Sequence, residues 1–450
     1  MLSNVAIGWA HHLQVAALRA EQWLARQPLG QLLLALYLIS LFLTITIGIT
    51  YSFRSSMRML DYDEWEYWQL SGSLLEGAFA DPGRRTLGYP LLLAALRLVR
   101  DDFHFVQATL ALLSATAVPM LAWTMLRAGA TRLAAMLAGV VLACWPPHLF
   151  LATSLYSEAL TLPLLLLFLG LLPRPGRSGA DRALMWLFCG LLLGFVAHVR
   201  TMYQLFVPVV LLILLVEGWP WRAALARWSL ILAGFLVMVL PWSVYVSGKI
   251  GSPVLLTANG GETLAGGFNP KLYEIEGQMM HLEKRSAWVG PGKWLPATET
   301  GYLTKPELEL PYGEQDRLLR KRTMEWLLSN PGDAAYLTWR KLAYQWGFYP
   351  LARNGTAQLL LGNIPSIALF MLFLGSLIWQ SSARQLGARF WLMPVFVAGI
   401  AVISWGSWRF RHPADAAMIA VVAAALAAWL ASRGASLRQP VATKNIAANA

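Results

Sequence analysis

Ten apolar runs succeed one another along the 450 residues, at roughly 29–51, 103–127, 132–151, 158–173, 182–199, 202–217, 227–246, 357–379, 388–405 and 413–432. Hydrocarbon offers a backbone no hydrogen-bond partner, so a segment that enters a bilayer must satisfy its own N–H and C=O groups as a helix. About 20 residues suffice for one crossing. The expected fold class is therefore an all-α polytopic membrane protein with about ten transmembrane helices. The stretch 89–99 is also apolar, but about eleven residues are too few to span, and it reads as a short interfacial helix. Composition agrees: 57% of the residues are hydrophobic and 13% charged, against roughly a quarter charged in soluble domains.

The placement of charge sets the expected orientation. With ten spans and the N-terminus inside, the short inside connections carry Arg127 and Arg132, then Arg174, Arg177 and Arg182, then Arg222 and Arg227, then Arg384 and Arg389. The tail adds Arg433, Arg438 and Lys444. Cytoplasmic loops gather Lys and Arg, which accounts for most of the net charge of +12 without a nucleic-acid partner. Counting 89–99 as a span would turn all these arginines outward. Residues 1–28, with Trp9, Leu13, Leu18 and Trp23 among Arg19 and Arg26, read as a cytoplasmic interfacial helix. Residues 29–246 form a membrane catalytic module that includes a first periplasmic loop, 52–102; a periplasmic loop region, 247–356, follows. Residues 357–450 supply the last membrane helices and a cytoplasmic tail. The N-terminus lacks the short apolar core and small-residue site of a cleavable signal peptide. Cys144 and Cys189 both fall in apolar runs, against a disulfide framework or a thiolate metal site. Almost no charge lies at mid-depth in the runs, whereas ion-coupled pumps need buried acids or lysines along their path. The chemistry is expected at the outer membrane surface.

Several outer segments carry that chemistry. Asp61-Tyr62-Asp63-Glu64-Trp65-Glu66-Tyr67-Trp68 concentrates carboxylates and rings just after the first run. A carboxylate such as Asp63, with Glu64 beside it, can take a proton from a hydroxyl, and rings such as Tyr67 can stack on a sugar. Asp81-Pro82-Gly83-Arg84-Arg85-Thr86-Leu87-Gly88-Tyr89-Pro90 follows, and Arg84 and Arg85 suit a phosphate through charge-assisted hydrogen bonds or serve lipid headgroups. Pro146-Pro147-His148 leads to Ser157-Glu158, where Glu158 is either a favourable charge at a helix N-terminus or a second acid that orients an acceptor or a metal. His148 reads as a satisfied interfacial histidine, with metal ligation the lesser alternative. At the outer turns, Arg200 either snorkels or receives a phosphate, and Arg409 and Arg411 run against the positive-inside trend, which points to an anionic ligand. In the long loop, Thr257-Ala258-Asn259-Gly260-Gly261 makes turns, and the Asn259 amide can bond sugar hydroxyls. Residues 318–328 read as an amphipathic helix, and Tyr336, Trp339, Tyr344, Trp346 and Phe348 as an interfacial aromatic girdle. No Walker loop, dinucleotide fingerprint, HExxH or GxSxG motif stands out.

In this order the motifs resemble the GT-C superfamily of polytopic glycosyltransferases, with the protein O-mannosyltransferases and lipid A aminoarabinose transferases as the nearest branch. The resemblance rests on Asp63-Glu64 with Tyr67, Arg85-Thr86-Leu87-Gly88-Tyr89-Pro90, Ser157-Glu158, Pro241-Trp242 with the Asn-Gly-Gly stretch and Asn269-Pro270, and Arg409-Phe410-Arg411-His412-Pro413. It covers residues 30 to 432. It implies a polyprenyl-phosphate-linked sugar donor, an acceptor on the outer face and inversion at the anomeric carbon. Asp63 matches the family's catalytic acid and Glu64 its neighbour; Arg84 or Arg85 falls where relatives place a lipid-phosphate contact. The family has metal-dependent and metal-independent members, so a divalent metal is possible and no other cofactor is implied. The expected function is transfer of a sugar from a polyprenyl-phosphate carrier, undecaprenyl phosphate in a bacterial inner membrane, to a lipid, glycan or protein hydroxyl in the periplasm. Tyr67, Tyr89, Glu158 and Asn259 would hold acceptor or sugar; Arg84, Arg85, Arg200, Arg409 and Arg411 would hold the phosphate. A flippase of lipid-linked sugars and a polymerase or ligase using a diphosphate-linked donor are the alternatives.

Overall fold

The computed structural model describes residues 2–48, 62–79, 83–176, 182–272, 297–348, 359–380 and 386–436. Asp61, Asp81, Pro82, Arg177, Arg384, Arg438 and Lys444 lie outside the described residues. Each apolar run is mainly helical where described. In chain order the helices are α1 (Leu2–Arg26), α2 (Leu29–Ile47), α3 (Tyr62–Leu75), α4 (Gly88–Val99), α5 (Phe103–Ala115), α6 (Ala117–Arg127), α7 (Arg132–Ala143), α8 (Pro146–Ala152) and α9 (Glu158–Leu171). They continue with α10 (Ala183–Val199), a 3-10 turn Thr201–Leu205, α11 (Phe206–Val216), α12 (Trp221–Ile250), α13 (Gly260–Gly267), α14 (Tyr312–Ser329), α15 (Pro331–Trp346), α16 (Ile364–Trp379), α17 (Ala388–Ile403) and α18 (His412–Ser436). No strand occurs among the described residues.

Among the described residues, five helical segments are long and apolar enough to cross a membrane: Leu29–Ile47, Phe103–Arg127, Trp221–Ile250, Leu360–Trp379 and His412–Ala431. A sixth forms if α7 and α8, bent by 63°, make one broken span. The bend has a local cause: Pro146 and Pro147 open a new helix, where a missing N–H does no harm. Trp145 at the break is anchored by its indole, which donates to Asp415 Oδ2 at 2.9 Å. The remaining runs, Glu158–Leu171, Ala183–Val199, Thr201–Val216 and Ala388–Ile403, are shorter apolar helices. The helix α4, 12 residues, belongs to the same group of shorter apolar helices.

Close packing depends on small residues at chosen heights. α10 and α12 touch backbone to backbone: a Cβ on Gly190 would lie 2.1 Å from the Ile231 carbonyl oxygen, and one on Gly234 would lie 2.2 Å from that of Leu187. In lipid, where apolar burial gives helices little reason to associate, such approach is a main source of attraction.

The bundle has two chemically distinct ends. At one, Arg389 lies fully buried, donating to Glu217 Oε1 at 2.8 Å and to the Leu169 carbonyl at 2.6 Å. The Glu21 carboxylate of α1 accepts from the backbone N–H groups of Arg132 and Leu133, docking α1 against the start of α7. Arg174 bonds the Ala128 and Leu386 carbonyls there. At the other end the starts of α9 and α18 and the end of α10 meet α3 and α4. The basic connections and the acidic segment are therefore separated by the length of the bundle.

Candidate active site

The first turn of α3 carries Asp63 and Glu64, where the positive end of the helix favours carboxylates. Helical spacing puts Asp63 and Glu66, three residues apart, on one face. Glu64, Tyr67, Trp68 and Ser71 fall on the adjoining, buried face. That face fixes α3. Glu64 accepts from the Leu155 backbone N–H at 2.7 Å, Tyr67 meets Tyr89 edge to face at 4.8 Å, and Trp68 packs on Phe103. The Arg97 guanidinium of α4 lies 4.2 Å over Trp68 and donates to the Trp68 carbonyl and the Ser71 hydroxyl.

The arginine segment before α4 is pinned from two sides. The Gly83 carbonyl accepts from Ala258 N–H at 2.7 Å, and the Asn259 amide donates to the Arg84 carbonyl at 3.2 Å. On the other side the Thr86 hydroxyl donates to the His198 carbonyl. Gly88 lies so near that a Cβ there would meet the His198 carbonyl carbon at 2.7 Å. The result is that Arg85 faces α3. Its Nη2 donates to Asp63 Oδ1 at 2.7 Å, its Nε to Glu66 Oε2 at 2.8 Å, and its guanidinium stands 5.1 Å over Tyr67.

Arg409, in the turn before α18, approaches from the opposite side. Its Nη2 donates to Asp63 Oδ2 at 2.7 Å, its guanidinium covers Tyr156 at 4.2 Å, and its Nε lies 3.9 Å from Glu158 Oε1. Arg200 pairs with Glu158 at 2.7 Å and stacks on Phe410 at 4.7 Å. Arg84 lies between Glu66, at 3.6 Å, and Glu262, at 3.5 Å. Glu262 also accepts from the Tyr312 hydroxyl at 2.6 Å, which ties the start of α14 into the same group. Cation and anion thus alternate from Arg200 through Glu158, Arg409, Asp63, Arg85, Glu66 and Arg84 to Glu262. The Asp63 side chain is 27% exposed and the Arg409 side chain 13%, so the group is partly open to solvent.

Burial alone would raise the Asp63 pKa. The charges of Arg85 and Arg409 and their hydrogen bonds outweigh it and hold the carboxyl well below the usual carboxylate range. Asp63 is firmly ionised here, and while both arginines hold it, it is a weak base.

Other expected site residues are placed differently. Tyr89 is fully buried, and its hydroxyl donates to the Leu155 carbonyl at 2.9 Å, so it braces the Leu155–Ser157 turn rather than facing the opening. Asn259 supports Arg84 through its backbone. Arg411 turns inward from the group: it is 2% exposed and bonds Asp415 at 2.8 Å, the Gln345 carbonyl at 2.7 Å and the Ser366 hydroxyl. Its three donating nitrogens all serve the packing of α15, α16 and α18. His148 is fully buried and bonds His412. Glu66 was not among the expected site residues, though its spacing from Asp63 was the available signal. No group of three or more His, Cys, Asp or Glu side chains fit to hold a metal ion occurs among the described residues.

No family model matches the chain, and no curated protein matches it. Among solved structures it is similar to the archaeal oligosaccharyltransferase AglB from Archaeoglobus fulgidus in complex with an inhibitory peptide and a dolichol-phosphate. Identity there is 13% and the TM-score 0.52, over 92% of this chain and 52% of that one. It is also similar to the Archaeoglobus fulgidus oligosaccharyltransferase in the apo form, at 13% identity and a TM-score of 0.49, over 89% of this chain and 50% of that one. The chain spans about half the length of the solved structures it matches. At this identity the first likeness speaks for the fold alone, which this chain shares with about half of that oligosaccharyltransferase. It does not single out the O-mannosyltransferase or aminoarabinose branch.

Proposed function

We propose that this chain is a glycosyltransferase that moves a sugar from a polyprenyl-phosphate carrier to an acceptor hydroxyl, with inversion, at the periplasmic face of a bacterial inner membrane. The proposal includes ten crossings, with the four shorter apolar helices other than α4 completing the set. The observation that carries it is Asp63 held at 2.7 Å by Arg85 on one oxygen and by Arg409 on the other. A carboxylate able to take a proton and guanidinium groups able to take a phosphate share one partly open site. That AglB was solved with a dolichol-phosphate supports a lipid phosphate as the ligand class.

The geometry suggests an order of events. The donor phosphate brings charge that Arg409 and Arg85 can bind in place of Asp63. Losing one guanidinium raises the basicity of Asp63 when the acceptor arrives. Asp63 then takes the hydroxyl proton, the hydroxyl oxygen bonds to the anomeric carbon, and the bond from that carbon to the phosphate oxygen breaks. Charge growing on the phosphate meets Arg85 and Arg409, with Arg84 and Arg200 behind them. Fixed cations of this kind in a water-poor site contribute several kcal/mol to lowering a barrier. The proton leaves Asp63 for water or the released phosphate. Glu66 keeps Arg85 in place while Asp63 changes partner. Tyr67 and Glu158 line the acceptor side. The carboxylates of the group are met by guanidinium groups, and the described residues offer no set of three metal ligands.

A second reading, transfer of an oligosaccharide from a diphosphate-linked donor, draws support from the fold likeness to an oligosaccharyltransferase. One assay separates the two. Purified chain is incubated with polyprenyl-monophosphate sugars or with a diphosphate-linked oligosaccharide, and released carrier is measured. Release of polyprenyl phosphate from the monophosphate donor, abolished by Asp63→Asn, is the expected result. Turnover of the diphosphate donor alone would favour the second reading; turnover of neither would end the proposal.

A further inference from the structure

At the end of the bundle away from Asp63, a cavity of about 660 Å³ opens between the stretch after α9, the ends of α11 and α16, and the start of α17. That volume lies within the roughly 300–1,000 Å³ of small-molecule sites. Its wall has two chemical halves: Arg174 and Glu217 on one side, Val216, Leu377 and Trp391 on the other. The charged half centres on Gly387, where an added Cβ would collide with Arg174 Nη2 and meet Glu217 Oε1 at 2.6 Å. Glu217 has both oxygens engaged by Arg389. The Ala128 and Leu386 carbonyls accept from Arg174, which fixes its guanidinium without cancelling the charge. Two guanidinium groups against the Glu217 carboxylate leave this half positive.

The apolar half continues away from that end. Leu212, Leu374 and Val395 share helix faces with Val216, Leu377 and Trp391 in turn, and all three are exposed. α11 and α16 run toward the cavity and α17 runs away from it, so the three rows all lead toward mid-bundle. Trp221 and Trp379, both largely exposed, stand at the same end as the cavity. Exposed indoles of this kind settle at the headgroup level of a bilayer. A fixed cation at headgroup height, with apolar rows leading inward, matches an amphiphile with an anionic head and hydrocarbon tails. A free anion would leave the apolar half unused. A zwitterionic head would bring an ammonium group toward two guanidinium groups and a carboxylate already satisfied. Basic pockets between membrane helices take anionic lipid headgroups for the same reason.

We infer that this cavity binds an anionic phospholipid, with its phosphate on Arg174 and an acyl chain along the apolar rows of α11, α16 and α17. The site is separate from the Asp63 group, and its occupancy can be read without a transfer assay.

The full chain, purified in detergent and freed of lipid, is titrated with dioleoyl phosphatidylglycerol, dioleoyl phosphatidylcholine or inorganic phosphate. Native mass spectrometry counts bound lipid, and the thermal midpoint is recorded alongside. The expected result is that phosphatidylglycerol binds about 10-fold more tightly than phosphatidylcholine and raises the midpoint, while inorganic phosphate leaves it unchanged. Arg174→Gln should erase the difference between the two lipids. That variant also loses two carbonyl bonds, so Val216→Trp serves as the second: it fills the cavity from an exposed position and leaves every charge in place. Val216→Trp should weaken phosphatidylglycerol binding by about 10-fold or more, as chain access is lost. Equal binding of the two lipids by the wild-type chain, or phosphatidylglycerol binding unchanged in either variant, overturns the site. Stabilisation by inorganic phosphate equal to that by the lipid would assign the cavity to a free anion and overturn it as well.

Discussion

At the residue scale, Asp63 holds two roles that different variants separate. Asp63→Asn keeps the shape and removes the base, so transfer should fall by roughly 10²–10⁴-fold, read as released polyprenyl phosphate, while the chain stays folded. The pH dependence has a definite sign. The folded pKa of Asp63 lies below its unfolded value, so its pairing stabilises fully above the ordinary carboxylate pKa of about 4 and is lost as pH falls toward the folded value. The difference in thermal midpoint between wild type and Asp63→Asn should therefore stay constant from about pH 8 to pH 5 and shrink only below about pH 4. A difference that vanished near neutrality would mean that the two arginines do not hold this carboxylate. Residue types and sidedness made Asp63 and Arg85 readable as candidates in the chain itself. The partner of each arginine was not readable: Arg409 and Arg411 are two residues apart in one turn, yet one reaches Asp63 and the other Asp415. Only the direction in which that turn enters α18 separates them.

At the scale of elements, the site depends on where α4 and α10 cross. Gly88→Ala would push the arginine segment away from His198, where no Cβ has room. A displacement near 1 Å at a positioning element can cost about 10²-fold in rate. Transfer by Gly88→Ala should fall by that order with Asp63 and both arginines intact, and a wild-type rate would show that the segment tolerates the shift. The far end gives a contrasting case. Glu217→Gln leaves Arg389 buried without its counter-charge, and breaking such a pair costs about 3–5 kcal/mol. Unfolding in detergent should show that loss, with the transfer constants of the surviving folded protein unchanged. Helix existence was legible from apolar period and length, as for Leu29–Ile47 and Trp221–Ile250. The extent of others was not: α14 begins at Tyr312, well before the amphipathic stretch marks it, and Tyr312 bonds Glu262 of another element.

At the scale of the whole molecule, the two ends of the bundle should lie on opposite sides of a membrane. In a background lacking Cys144 and Cys189, Asp101→Cys and Arg182→Cys should react with an impermeant thiol reagent from opposite faces of sealed vesicles. Labelling of both from one side would remove the periplasmic site and the ten-crossing topology together. The sequence by itself determined that the chain is helical and membrane-bound, because a backbone in hydrocarbon must bond to itself and apolar length decides which segments can enter. It also separated the basic connections from the acidic segment, since charge cannot easily rest at mid-depth. Only the tertiary structure decided that residues 63, 85, 158, 200 and 409 form one alternating group while residue 411 does not. Pairing among charges depends on ångström distances set by helix crossings and glycine contacts, and those arise from packing between segments far apart in the chain.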